Sequence, residues 1–294
     1  MKKNFKILCA MGLGLVAIMG MAGCGKSDNS GLKIIDISVN DEPEDYAFAF
    51  NLSNTTLKND FNTYLTSIKN SGEYESIYNK YFENSSDAKV GYKFNGTGTE
   101  GAGQEGGDPT SIGDKTESGK FVVATNCDYE PYEYIIDGKM YGFDIEVAAG
   151  YATYAGLTLE IWNIDFDAIF PSLDANHIDM GAACITSNGR ESSYAFSDIY
   201  KSSSMNLIVK KSNKDFDNCE TTADVQSVLS SLKGKTIGYQ NGTASETLIK
   251  ESYKNITGAG YNTSMLAAVD LNNNNIYAVL VDADPAKAIV NNIK

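Results

Sequence analysis

Apolar positions recur at helical spacing between Thr55 and Asn70, where Leu57, Phe61, Tyr64, Leu65 and Ile68 share one face. After the break at Gly72 a shorter helix is predicted over Glu73–Phe82. Ahead of both, Lys33–Val39 and Tyr46–Phe50 read as strands. A low-complexity stretch from Asn95 to Gly119 then interrupts the pattern (NGTGTEGAGQEGGDPTSIGDKTESG). Its Gly, Ser, Thr and acidic content cannot form a core, so a flexible linker is expected, with a root-mean-square span of about 27 Å. The ordered segment before it is too small for a comfortable domain and is expected to pack against the rest.

Beyond the linker the periodicity alternates between 2 and 3.6. Strands are predicted at Phe121–Thr125, Leu157–Ile161 and Ile178–Ala183, and a turn at Asp137-Gly138. Asp144 is placed as the cap of a helix running through Tyr154, and Phe166–Leu173 as a second helix. The theme repeats. Strand Met205–Lys210 leads to a helix near Val225–Leu232, strand Lys235–Tyr239, helix Ala244–Tyr253, strand Ile276–Val281 and helix Pro285–Ile293. Such alternation predicts two α/β lobes built on mainly parallel sheets, whose ligands bind at strand C-termini.

The first residues depart from this pattern. Met1 to Lys6 is basic, and Ile7 to Ala22 is an uncharged apolar run too short for a comfortable membrane span. It ends Met21-Ala22-Gly23-Cys24, which resembles the lipobox of bacterial lipoproteins. The expectation is a signal peptide over 1–23, lipidation of Cys24 and a lipid-anchored tether over 24–30. Several acyl chains, at ~0.8 kcal/mol per buried CH₂, would hold the protein on a membrane surface.

Charge and composition narrow the function. With 24 Lys+Arg against 38 Asp+Glu the chain carries a formal charge of −14, which repels phosphate backbones and excludes a nucleic-acid partner. At 42% hydrophobic residues it can bury a real core. His177 is the sole histidine, so histidine catalysis and His-rich metal sites fall away, and no metal or other cofactor is implied. Asp270 to Asn275 hints at a calcium loop but lacks its glycine and terminal glutamate, and Leu229 occupies the first glycine position of a phosphate loop. Once Cys9 and Cys24 are set aside, Cys127, Cys184 and Cys219 are too few for a disulfide framework and read as small buried thiols.

Three places carry candidate chemistry. Arg190, the sole arginine in a lysine-using chain, follows a polar loop off a strand end; it is either a bidentate grip on a carboxylate or a surface residue. Gln240-Asn241-Gly242-Thr243-Ala244-Ser245 joins a strand to a helix, and small residues there free backbone N–H groups for an anion. Asp282 ends a strand, where it meets a cation or caps the next helix. Tyr129, Tyr132, Tyr134 and Phe166 wall a pocket or pack a core.

From Phe121 onward, FVVATNCDYEPYEY, GKMYGFDIEVAAGYA, DFDAIFPSLDANHIDMGAACIT, RESSYAFSDIY and LKGKTIGYQNGTASE occur in that order. The chain thereby resembles the solute-binding lipoproteins of amino-acid ABC importers, the polar amino-acid family of type 2 periplasmic binding proteins. The family's C-terminal segment is matched at the front instead, by LKIIDIS and by EDYAFAFNLSNTTLKNDFNTYLTSIKNSGEYESIYNKYFE. A circular permutation is therefore expected, with lobe 1 formed by 46–95 plus 119–199 and lobe 2 by 31–41 plus 205–294. The linker spans 96–118, and 42–45 and 200–204 cross between lobes as hinges. A structure in which strand Lys33 to Ile37 stands outside the sheet of Ile276 to Val281 would refute it.

The resemblance implies a non-catalytic module in which two lobes close over one L-amino acid. Arg190 would pair with its α-carboxylate, helped by N–H groups near Thr243 and Ala244, and Asp282 with Thr186 would hold the α-ammonium. Tyr129 and Phe166 would sandwich the side chain, Asn126 and Gln240 would sit close to it, and Ala183 and Cys184 would line the site. Asn126 stands where relatives that bind cationic or amide side chains often carry Asp, so a neutral or polar ligand is expected. The loop from Cys184 to Arg190 is one residue shorter than usual, and Cys127 and Cys184 would end neighbouring strands, where a disulfide could form. Partners would be the permease and its ATPase subunits. A monomer is expected, anchored to the outer face of a Gram-positive membrane. An enzyme on the same fold, a dehydratase of a cyclic acid acting through Asp128, Glu130 or Asp282, and a ligand sensor are the alternatives.

Overall fold

The computed structural model describes residues 31–83, 87–96, 119–127 and 129–293. The signal peptide, the tether with Cys24, nearly all of the linker and Asp128 lie outside the described residues. The chain opens with β1 (Leu32–Ile35), β2 (Glu44–Tyr46) and β3 (Ala49–Asn51), then α1 (Thr55–Ser71) and α2 (Glu73–Phe82). There follow β4 (Asn95–Gly96), β5 (Lys120–Thr125), β6 (Tyr134–Ile136), β7 (Lys139–Tyr141), α3 (Phe143–Ala155), β8 (Thr158–Asn163), α4 (Ile169–Asp174), β9 (Met180–Gly181) and β10 (Tyr194–Phe196). The remainder comprises β11 (Lys201–Ser203), β12 (Met205–Lys210), α5 (Thr222–Ser231), β13 (Thr236–Gln240), α6 (Ala244–Ser252), β14 (Thr257–Tyr261), α7 (Ser264–Asn272), β15 (Ala278–Asp282) and α8 (Ala283–Asn292).

Two sheets organise these elements, one of six strands ordered β10-β3-β9-β5-β8-β4 and one of five ordered β1-β12-β15-β13-β14. Both are mixed. The run β9-β5-β8-β4 is parallel, as is β15-β13-β14, while β3, β10, β12 and β1 pair antiparallel. The antiparallel strands flank the two passages of the chain between the sheets, β1 to β3 and β10 to β12, so they add to one edge of each sheet without a crossover helix. Between the sheets β2 pairs with β11 in a two-stranded ribbon.

The front segment is divided between the two sheets. β1 joins the five-stranded sheet beside β12, Leu32 opposite Lys210 and Ile35 opposite Leu207, so it shares a sheet with β15. Leu32 packs with Ile289, Val290 and Ile293 at the far end of the chain. By contrast, α1 and α2 cover the six-stranded sheet. Phe61, Tyr64, Leu65 and Ile68 lie at helical spacing on the buried face of α1, which ends at Gly72 in the left-handed conformation. These rings meet Phe48, Phe121, Tyr151 and Phe143 in one aromatic core.

Several local expectations are corrected. Asp144 does not cap α3. The cap position is Gly142, at a φ of 142° where an added Cβ would lie 1.8 Å from the Tyr132 carbonyl oxygen, and Asp144 is buried. Asn95 and Gly96 belong to a strand beside Trp162 and Asn163 and not to the linker. The strand expected over Ile178–Ala183 shrinks to β9, and Phe166–Leu173 divides into a 3₁₀ turn (Phe166–Ala168) and α4. Asp137 and Gly138, both at positive φ, form the predicted turn between β6 and β7.

Candidate functional site

The C-terminal ends of β5, β9, β13 and β15 meet between the sheets, where topology places a crevice. The eleven residues singled out in the sequence all line one cavity there: Asn126, Tyr129, Phe166, Ala183, Cys184, Thr186, Arg190, Gln240, Thr243, Ala244 and Asp282. Ser245 of the Gln240–Ser245 turn lines it as well, whereas Tyr132 and Tyr134 pack into the core. Glu44, Glu133, Ser264, Leu280 and Val281 also line it, and sequence reasoning passed over them. Glu44 sits within the run Asp41-Glu42-Pro43-Glu44-Asp45, which reads as a solvated turn. Its only signal is the alternation with Tyr46, two positions on along β2.

Arg190 is held across the cleft despite its shortened loop. One guanidinium nitrogen donates to the Thr186 carbonyl (2.9 Å) and another to the Gly242 carbonyl (2.7 Å), with the Phe170 ring 4.9 Å away. Burial pulls its pKa down, and Glu44 pushes it back up. Opposite, Thr243 donates its hydroxyl to the Gln240 carbonyl instead of capping α6, and the Gly242 N–H is taken by Glu246. The anion site expected here therefore reduces to the first-turn amides of α6.

Asp282 occupies the cap position of α8 without bonding to it. Its Oδ2 accepts instead from the hydroxyls of Tyr46 (2.6 Å) and Tyr129 (2.7 Å), so Oδ1 is used by neither. Burial raises its pKa, and the two tyrosines partly restore it. At the other end of the cavity Gln240 donates to the Asn126 side-chain oxygen (2.5 Å) and to the Asn262 carbonyl, and Asn126 donates to the Ile164 carbonyl. Amides, not charges, meet there.

Beneath the cavity lies a second acidic group. Glu133, Asp144 and Cys184 are buried with one ligand atom each within 4.8 Å of the others, the set with metal-ligand spacing among the described residues. Asp144 Oδ2 accepts from the Cys184 N–H and the Tyr200 hydroxyl, while Asp144 Oδ1 and Glu133 Oε2 have no partner. Burial pushes both carboxyls and the thiol upward, against the charged forms. Cys127 and Cys184 are both buried, and no disulfide joins them.

These raised carboxyls dictate a sign for pH dependence. A carboxyl lifted in the folded state stabilises the fold below its unfolded pKa, and that contribution is lost as pH rises through the folded value. Glu133 and Asp144 act in this sense, and so does Glu44, pushed up to about 7 by burial and by Asp282. The lowered carboxyls Asp217, Asp224 and Asp270 have already delivered their contribution by pH 5. A proton kept only by the folded state is worth roughly 1.4 kcal/mol per pH unit. Scanning calorimetry of the ligand-free protein should thus show Tm falling by about 5 °C or more from pH 5 to pH 8, with a shallower slope in Glu133→Gln.

Comparison with known proteins supplies the context. A family model described as bacterial extracellular solute-binding proteins, family 3, matches residues 121–280. The arginine-binding extracellular protein ArtP of Bacillus subtilis (strain 168) is 32% identical over 139 residues, 46% of this chain and 50% of ArtP. The chain thus spans about half the length of that relative. Among solved structures, the amino-acid ABC transporter substrate-binding protein AbpA of Streptococcus pneumoniae, bound to L-arginine, is 30% identical with a TM-score of 0.53, covering 58% of this chain and 71% of that one. An ancestral amino-acid-binding protein, AncCDT-1, a precursor of cyclohexadienyl dehydratase, is 25% identical with a TM-score of 0.52 over 58% of this chain and 73% of its own.

Proposed function

Because the chain belongs to family 3 of the bacterial extracellular solute-binding proteins, we propose that it binds an L-amino acid between its two sheets and delivers it to an ABC permease without altering it. The observation that carries this reading is the polarity of one cavity. Arg190 stands at its cationic wall, Asp282 at its anionic wall, and uncharged Asn126 and Gln240 at the remaining end. Arg190 uses two of its five N–H donors on carbonyls, which leaves others for an α-carboxylate. Asp282, with Thr186 beside it, takes the α-ammonium, and Tyr129 and Phe166 flank the side chain. The amide-lined end favours a neutral or polar side chain over a cationic one.

The same reading extends to the whole chain. The β2–β11 ribbon is the hinge about which two lobes close. The order of segments is a circular permutation. This is supported by β1 pairing in the sheet of β15 and by solved relatives that cover only about three-fifths of this chain. Lipidated Cys24 tethers the protein, as a monomer, to the outer face of the membrane.

Isothermal titration of the mature protein with the twenty amino acids, after unfolding and refolding to strip ligand, tests the proposal. Saturable micromolar or tighter binding of one or a few is expected, with the ligand recovered unchanged. Silence across the panel would overturn it. Glu44, buried in the cavity and pushed up to about 7, favours a second reading as a general acid of a dehydratase. Consumption of the titrant, followed by mass spectrometry, would select that reading.

A further inference from the structure

Glu44 is 4% exposed and lines the cavity from β2, the strand that runs between the two sheets. One carboxylate oxygen, Oε1, accepts from the Asn40 side chain at 2.9 Å. The other, Oε2, is buried without a hydrogen-bond partner. A buried carboxylate oxygen in that condition costs free energy unless something supplies a donor. The strand's alternation puts Tyr46 on the same face, and Tyr46 both bonds Asp282 and pairs with Thr186. Glu44 therefore belongs to the Asp282–Thr186 end of the cavity, within electrostatic reach of Asp282 and Arg190.

An ammonium group has three N–H donors and needs three acceptors when buried. Asp282 offers Oδ1, because both tyrosines fall on Oδ2, and Thr186 offers its hydroxyl. Resting on the amino-acid reading above, we infer that Glu44 Oε2 is the third acceptor, so that the site selects a primary ammonium held between two carboxylates. Lining up Glu44 and Asp282 around one cation also accounts for two buried carboxylates standing close together, an arrangement that repels without a charge between them. A secondary ammonium offers only two donors and would leave Glu44 unpaired.

Glu44→Gln tests this by comparison of ligands. Against whichever amino acid the wild type binds, the variant should lose about 10–100-fold in affinity. Against the α-hydroxy acid of the same side chain, which has no ammonium, the two proteins should bind alike. Equal losses for both ligands would make Glu44 merely structural and overturn the inference, as would no loss for either. A second readout does not depend on the variant folding. Glu44 faces Asp282, Arg190, the Thr186 hydroxyl and the Asn40 amide, and a cation placed beside it should expel its proton. Wild-type titrations near pH 7 in buffers of different ionisation heat should show net proton release on binding, and none would overturn the inference. Failure of the wild type to bind any amino acid would instead bring down the proposed function first, and this inference with it.

Discussion

Arg190→Ala should weaken amino-acid binding by several hundred-fold or more, and Arg190→Lys should recover only part of that loss. The guanidinium spans the cleft, donating to Thr186 on one side and to Gly242 on the other, and lies against the Phe170 ring. Its removal strands a buried ligand carboxylate, at about 3–5 kcal/mol. Lysine restores the charge but not the fork that serves two carbonyls and a carboxylate together. Titration calorimetry decides the matter, and wild-type affinity in Arg190→Ala would remove Arg190 from the site. Near-UV circular dichroism of the variant should be unchanged, since the residue lies outside both cores.

The second large effect concerns the front of the chain. A fragment of residues 119–294, which contains every residue the family model matches, should fail to fold alone. It lacks Tyr46, Phe48, Phe50, Phe61 and Leu65, each at most 1% exposed in the core over the six-stranded sheet. Burial of such side chains contributes roughly 1.5–3 kcal/mol each. Five of them approach the whole net stability of a typical domain, about 5–15 kcal/mol. Placing residues 31–94 after residue 294 through a short glycine linker should restore a cooperative melt, because Leu32 already packs with Ile293. A fragment that melts cooperatively by itself would show that the front segment is an appendage.

Much of the fold was legible because its elements carry one strong period. The bounds of α2 and β12 followed directly from aromatic spacing and from the apolar run Leu207-Ile208-Val209 ahead of Lys210. Elements without such a period escaped. β14 reads Thr-Gly-Ala-Gly-Tyr, whose glycines look like a turn; Gly258 is small because the Tyr239 ring lies 2.8 Å from where its Cβ would be. α7 hid beside the asparagine run that ends it. Among cavity residues, those at strand ends were predictable from topology, whereas Glu44 was masked by neighbouring acids. Asp144 failed differently. It sits where a cap belongs, yet tertiary structure draws it into the core to hold the Cys184 N–H, at a backbone φ of 48°.

The dispersal of the front segment over both sheets bears on how the chain reaches this structure. The Asn206–Asp36 bond beside β1 joins residues 170 positions apart, and the Tyr46–Asp282 bond spans 236. The entropy of closing such loops grows only logarithmically, so stability is little affected. Speed is another matter, since topologies dominated by distant pairings fold slowly. During synthesis, strands β1 to β3 and helix α1 emerge before any partner strand exists. The aromatic faces of β3 and α1 stay uncovered until Phe121, Phe143 and Tyr151 have followed, and β1 until β12, a window in which such surface invites self-association. Much of the hazard in making this protein therefore lies in residues 31–71, which are made long before the strands and helices that cover them.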